Sequence, residues 1–511
     1  WFQKACIGHS GKKRGQSLAI LWIRSELGEC LRVVGSRLVP AEVKASSSIL
    51  LRALTIVVCA LIVLLPAIIN GYPLVYSDTG TYVRSAFEGY VPIDRPYWYG
   101  VFIRASSFGG RTLWGVAMAQ CFLVAVYIWR VCALMVSLRA ANIASITTSL
   151  ILTVGTGLGW YAGQLIPDVF TGIGLLAVFL LVKGNGTWLR GIDGFVVCAA
   201  CWMHLSNLLI LPLAGMLLLF MRQRPAFLSL RQGVVLLGSV TALAWGGLAL
   251  ANRAVDGKAY ISRSSHVFFM GRMLDAGMLR PYLLEHCATE HFGICAYMDS
   301  LPQNSEAFLW WESSPLAKQG GWEATKEEYG RIVRGSFMEP RFLWWHVRGS
   351  VASTAEQLCA WEICHGLRSG WYRTADSPPY GMIAKHLPHE LDCYTGSMQN
   401  GGRGELDMHW PDNGYRLMLA LSLIAAVWFG IRGIRDASGR EQRILIFFSL
   451  AAIIIGAWVC ATLSVVDTRY LGRDSWLLPF AVVLAFAERI ERKRGSKGQE
   501  FDDRVVVDKA S

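Results

Sequence analysis

Runs of about 20 mostly apolar residues recur along this chain, and no other feature limits its fold so tightly. A helix needs roughly that length to cross the hydrocarbon core of a bilayer. A backbone in lipid must also satisfy its own hydrogen bonds, which leaves helices or closed barrels. The runs fall near 49–69, 112–137, 143–163, 167–183, 191–203, 205–221, 232–251, 415–431, 444–464 and 474–488. Composition agrees: 53% of the 511 residues are hydrophobic and only 17% charged, against about a quarter charged in soluble domains. Disorder needs the opposite balance. The expected fold class is an all-α polytopic membrane protein with about ten transmembrane helices.

Charge sets the orientation. The net charge of +12 resembles a nucleic-acid signal, but Lys and Arg cluster beside apolar runs. Lys12-Lys13-Arg14, Arg222 to Arg231, Arg432 to Arg443 and Arg489 to Lys497 are such clusters. That is the positive-inside pattern of a membrane protein, and no nucleic-acid partner is expected. A cytoplasmic N-terminus and ten crossings also place Arg139, Lys183 and Arg190 inside. The segments 191–203 and 205–221 are short enough for a tight hairpin around Met203 to Ser206, one long tilted helix, or re-entrant pieces. The hairpin alone keeps every basic loop on one side.

This reading divides the chain into five parts. Residues 1–48 are a basic N-terminal extension without a clean signal-peptide core, cytoplasmic or an upstream translation artefact. Residues 49–251 form an N-terminal transmembrane bundle whose first external loop is 70–111. Residues 252–412, between the seventh and eighth spans, are far longer than an ordinary connection and suit a folded, mixed external domain. Within it, Arg341 to His346 suits the membrane interface. Residues 413–488 hold the last spans, and 489–511 a cytoplasmic basic tail. Of the external cysteines, Cys287 and Cys295 are the pair most plausibly bridged; Cys359, Cys364 and Cys393 accompany them in a compartment that permits disulfides.

Ionisable groups at the external edge of the bundle carry the chemistry, because such groups near a bilayer are expensive to keep. Ser77 and Asp78 can cap a helix, on which Asp78, Tyr82 and Ala86 share a face. Asp78 is either a plain cap or a carboxylate placed to take a proton from a hydroxyl. Asp94-Arg95-Pro96 is a surface ion pair or a second polar part of the same site. Pro167-Asp168 opens a helix, where an acid gains from the helix dipole. His204, with Ser206 and Asn207, sits at the hairpin tip. Asn252, Arg253 and the run Ser262 to His266 can offer donors to a phosphate or a sugar hydroxyl. Late in the chain, Arg469 and Arg473 lie four apart between Asp467 and Asp474; a guanidinium pair matches a phosphate. Trp310, Trp311, Trp322 and Trp371 are candidate platforms for sugar faces, with structural packing as the default.

The pattern Asp78-x-x-x-Tyr82-x-x-x-Ala86, directly after the first spanning helix, resembles the GT-C superfamily of polytopic membrane glycosyltransferases. The resemblance implies a GT-C-like fold with a catalytic Asp78 in the first external loop. It implies a polyprenyl-phosphate sugar donor, and a glycan, lipid or protein acceptor at the outer face of a bacterial inner membrane. It also implies a basic residue in the late external loop, Arg469 first and Arg473 beside it, on the lipid phosphate. Tyr82, Asp94, Arg95, Asp168, His204 and His266 are the further candidates for binding substrate. Family members often carry a second acid beside the first; Thr79 stands there instead. No cofactor is fixed by this pattern, although a divalent cation is allowed. Competing readings are a transporter or flippase for a lipid-linked oligosaccharide or polysaccharide, a membrane acyltransferase or phosphotransferase using His365 or His386, and a non-catalytic surface-glycan assembly protein.

Overall fold

The computed structural model describes residues 41–184, 186–221, 228–363, 366–367, 370–402, 404–435 and 439–510. Lys12 to Arg14, the first half of the basic run 222–231, Cys364 and His365 lie outside them. The described residues are helical with no strand; one isolated parallel bridge joins Leu74 and Gln164. The chain divides into two units, residues 1–55 and 56–511. Of the first, the described part opens helix α1 (Ala41–Asn70), where the Thr55 hydroxyl donates to the Leu51 carbonyl at 2.8 Å.

Among the described residues, seven helices are long and apolar enough to cross a membrane: Ile49–Asn70, Trp114–Met135, Leu138–Gly155, Leu230–Asp256, His409–Arg432, Arg440–Leu463 and Thr468–Arg494. Two more apolar helices, Val169–Lys183 and Asn207–Phe220, are shorter. The remaining expected crossing, 191–203, falls in helix Thr187–Met203, which carries Arg190 and Asp193. The seven long spans thus stand where seven of the apolar runs predict them.

After α1 come α2 (Ser77–Glu88) and α3 (Trp98–Ser106), short helices of the first connection. The bundle continues with α4 (Trp114–Met135) and α5 (Leu138–Gly155). The run read as 143–163 breaks at Thr156-Gly157, and a five-residue helix α6 (Leu158–Ala162) follows. Gly157 permits the break because a Cβ there would lie 2.8 Å from the Gly472 carbonyl oxygen. Helix α7 (Val169–Lys183) is apolar all round, and every one of its residues is buried, as expected of a helix enclosed by others. It packs against α4, α8 (Thr187–Met203) and α9 (Asn207–Phe220). Helices α8 and α9 are separate, joined through His204-Leu205-Ser206, and pack on each other. Helix α10 (Leu230–Asp256) packs on both.

The long stretch 252–412 splits between two cores. Its first part, with α11 (Ser265–Asp275), α12 (Leu279–Glu290), α13 (Ser305–Trp310) and α14 (Lys326–Met338), encloses its own cluster around Phe308, Tyr329 and Phe342. Cys287 and Cys295 form a disulfide there. The second part, Ile363 to Met408 with α16 (Pro378–His386), joins the core of the bundle. Buried polar groups tie it down. Glu390 accepts from the Tyr72 hydroxyl at 2.6 Å, and Gln399 exchanges hydrogen bonds with both backbone groups of Val75 at 3.0 and 2.9 Å. Between the two parts runs α15 (Pro340–Cys359), which lies along α18 (Arg440–Leu463). Helix α17 (His409–Arg435), the short α19 (Thr468–Gly472) and α20 (Leu477–Ala510) complete the chain.

Candidate functional site

The site begins where the chain leaves α1. Leu74 is pinned on both backbone groups to the loop before α7, donating to Gly163 at 3.0 Å and accepting from Leu165 at 2.8 Å. Helix α2 then starts at Ser77 with Tyr76 as its cap residue. The side chain that satisfies this end is Thr79: its hydroxyl accepts from the Tyr76 amide at 2.9 Å and donates to the Leu165 carbonyl at 3.1 Å. Thr79 therefore anchors the helix start. Asp78, freed from capping, points elsewhere.

Asp78 is held between two guanidiniums. Arg95 Nη1 lies 2.6 Å from Oδ1, and Arg469 Nη1 donates to Oδ2 at 3.2 Å. Burial alone would raise the Asp78 carboxyl, but Arg95 first and then Arg469 outweigh it and hold the group down at about 2. Arg95 also donates through Nε to Asp94 at 3.0 Å, and Arg469 lies 3.5 Å from Asp467. Asp467 caps α19 by accepting from the Arg469 amide at 3.0 Å. Its backbone is fixed by the buried Gln357 of α15, which donates to its carbonyl at 2.7 Å and accepts from its amide at 3.0 Å. Behind Asp78, Tyr82 packs edge-on to Tyr99 at 4.9 Å, and Gln120 of α4 accepts from the Tyr99 hydroxyl at 2.6 Å. Burial raises the Tyr82 phenol, which stays protonated.

Asp78, Tyr82, Asp94, Arg95 and Arg469 all face one cavity of about 1830 Å³, and His204 borders it. That exceeds an ordinary small-molecule pocket of roughly 300–1,000 Å³. One wall is apolar, with Leu208 and Leu209 from α9, Trp245 from α10, Phe268 and Phe269 from α11, and Leu463 from α18. Trp310 and Trp371 also reach the cavity. Trp322 instead packs against Phe268 and Trp310.

Three candidates sit differently from the expectation. Arg473, though four residues from Arg469, is fully buried and does not line the cavity. It donates to Asp168 at 3.0 Å and to Ser206 at 3.1 Å, and lies 3.1 Å from His204 Nε2. The guanidinium beside Arg469 in the cavity is therefore Arg95, not Arg473. Asp168 is likewise buried; it precedes α7 but spends its carboxylate on Arg473 rather than on a helix cap. His204 must be neutral to face an arginine; burial and the Arg473 charge depress its imidazole to about 3. His266 turns away, with Nε2 2.9 Å from the Trp322 carbonyl oxygen.

Residues without a sequence motif also line the cavity: Arg272, paired with Asp275 at 2.9 Å, and Glu306 and Glu356. No motif marks them, because they come from α11, α13 and α15 and meet only through folding. Among the described residues there is no group of three or more His, Cys, Asp or Glu that could hold a metal ion. The chain matches no family model, no curated protein and no solved structure.

Proposed function

We propose that the protein is a membrane glycosyltransferase that moves a sugar from a polyprenyl-phosphate donor to a glycan, lipid or protein acceptor. The reaction would take place at the outer face of a bacterial inner membrane. The observation that carries this reading is the meeting of Asp78 and Arg469. These residues, 391 apart in the chain, touch on the wall of a wide cavity with an apolar side. A phosphate beside Arg469 and Arg95 would have its leaving-group charge neutralised as the bond to the anomeric carbon breaks. The apolar wall suits a prenyl tail. The acceptor oxygen bonds to the anomeric carbon and its proton passes to Asp78. The C–O bond to phosphate breaks with its electron pair, releasing polyprenyl phosphate.

The test is release of polyprenyl phosphate from a labelled lipid-linked sugar by the purified protein in lipid. Asp78→Asn should lower the rate by about 10²–10⁴-fold, the usual contribution of a general base, with folding intact. Full activity in that variant overturns the assignment. Lipid movement without cleavage would favour the flippase reading instead.

A further inference from the structure

The two arginines pose an electrostatic problem for any anionic ligand. Three carboxylates, Asp78, Asp94 and Asp467, already surround two of the guanidiniums that face the cavity, Arg95 and Arg469. The cluster carries one excess negative charge before any anion arrives. A phosphate ester adds another, and its oxygens want the same N–H groups. It can enter only if a carboxylate gives way.

The three carboxylates are not equally replaceable. Asp94 adjoins Arg95 in the chain and contacts only that guanidinium. Asp467 is tied to its place by the cap on α19 and by Gln357. Among the described residues Asp78 alone bridges both guanidiniums, and apart from them its carboxylate accepts a hydrogen bond from the Ser77 hydroxyl at 3.4 Å. It is a short side chain on the first turn of α2, so a change of rotamer suffices to move it.

We propose that Asp78 is the resident competitor of the ligand's phosphate for Arg95 and Arg469. Paired with both arginines, it is held as an inert ion pair. When a phosphate ester takes the two guanidiniums, the carboxylate is released beside the bound headgroup with its basicity restored. Arg95 thereby joins Arg469 as a phosphate-binding residue, and proton acceptance by Asp78 depends on an occupied site. The use of the released carboxylate as a base rests on the glycosyltransferase reading. The competition itself requires only an anion at the two arginines.

Binding separates the two ideas. The probe is farnesyl methyl phosphate, a diester of fixed single charge. It is titrated calorimetrically into the full-length protein in detergent, with dimethyl phosphate and farnesol as controls for head and tail alone. Asp78→Asn, close to isosteric, should bind the diester at least about tenfold tighter than the wild type. Arg95→Gln should bind it about tenfold more weakly, with a matched melting temperature as the control for folding. Binding of dimethyl phosphate with the same ranking identifies the phosphate as the recognised group. Binding of farnesol with affinity equal to the diester overturns the proposal, as does equal or weaker diester binding by Asp78→Asn. If these affinities hold and no lipid-linked sugar is cleaved, the competition stands and the transferase reading fails.

Discussion

At the scale of single residues, two arginines four positions apart do different work. The spacing placed Arg469 and Arg473 on one face, but what covers that face comes from elsewhere in the chain. Asp168, His204 and Ser206 enclose Arg473, while Arg469 is left facing the cavity. No local pattern announces which of two equal side chains a distant loop will bury. Removing one partner of a buried ion pair leaves an uncompensated charge, at a cost of about 3–5 kcal/mol. Arg473→Met should lower stability by that amount, measured by thermal unfolding in detergent, and Asp168→Leu in the same chain should recover part of it. Arg469→Met, at a partly exposed position, should cost less while removing binding of the phosphate diester. Acid offers a second test. Asp78 is faced by Arg95, Asp94, Arg469, Asp467, Tyr76, Tyr82 and Tyr372. Its folded value, about 2, lies below the ordinary 3.8. The stabilisation is therefore present above pH 4 and is lost as the pH falls through 2, amounting to about 2 kcal/mol. The difference in stability between wild type and Asp78→Asn should shrink by that amount over this range, and a constant difference would contradict it.

At the scale of elements, the spans were legible because lipid demands a length of apolar chain and little else. The seven long helices coincide with apolar runs for that reason. Breaks and short helices were less visible. The turn at Thr156-Gly157 depends on the approach of Gly472, more than 300 residues away in sequence. The site also depends on how closely helices approach. Helix α2 lies so near α16 that a Cβ on Gly80 would fall 2.3 Å from the backbone carbon of Pro378. Backbone cannot yield as a side-chain tip does. Gly80→Ala should therefore push α2 from α16, cost about 1–3 kcal/mol of stability, and weaken diester binding by moving Asp78. Gly381→Ala, within α16 at an ordinary helical φ and with open space around it, isolates the effect of the contact from that of losing a glycine. Helix α15 shows the other use of an amphipathic element. One side holds Gln357 against Asp467, while Leu343, Trp344, Val347 and Val351 stand exposed at helical spacing. Such a stripe, continuous with exposed Ile454 and Trp458 of α18, suits the bilayer interface. A spin label at Val351→Cys should report oxygen accessibility above that of a polar relaxant, whereas preference for the polar relaxant would place the stripe in water.

At the scale of the whole molecule, the distribution of charge makes the strongest statement about orientation. The chain is basic, yet the cavity is lined by six carboxylates (Asp78, Asp94, Asp275, Glu306, Glu356 and Asp467) and three guanidiniums (Arg95, Arg272 and Arg469). The basic surplus lies instead at the turns that join α4 to α5, α7 to α8 and α17 to α18, and along α20. Lys183 there pairs with Glu441 at 2.5 Å, and Glu488 with Arg492. Loops rich in Lys and Arg stay on the cytoplasmic side during insertion, and successive spans alternate ends. The cavity-bearing connections should then face outward. Cys359 gives this a direct readout, because its thiol is free, exposed and on the cavity wall. A membrane-impermeant maleimide should modify Cys359 in intact spheroplasts, identified by peptide mapping in a Cys393→Ser chain. Modification of Cys359 only after permeabilisation would turn the protein over, and with it the compartment from which any acceptor must come.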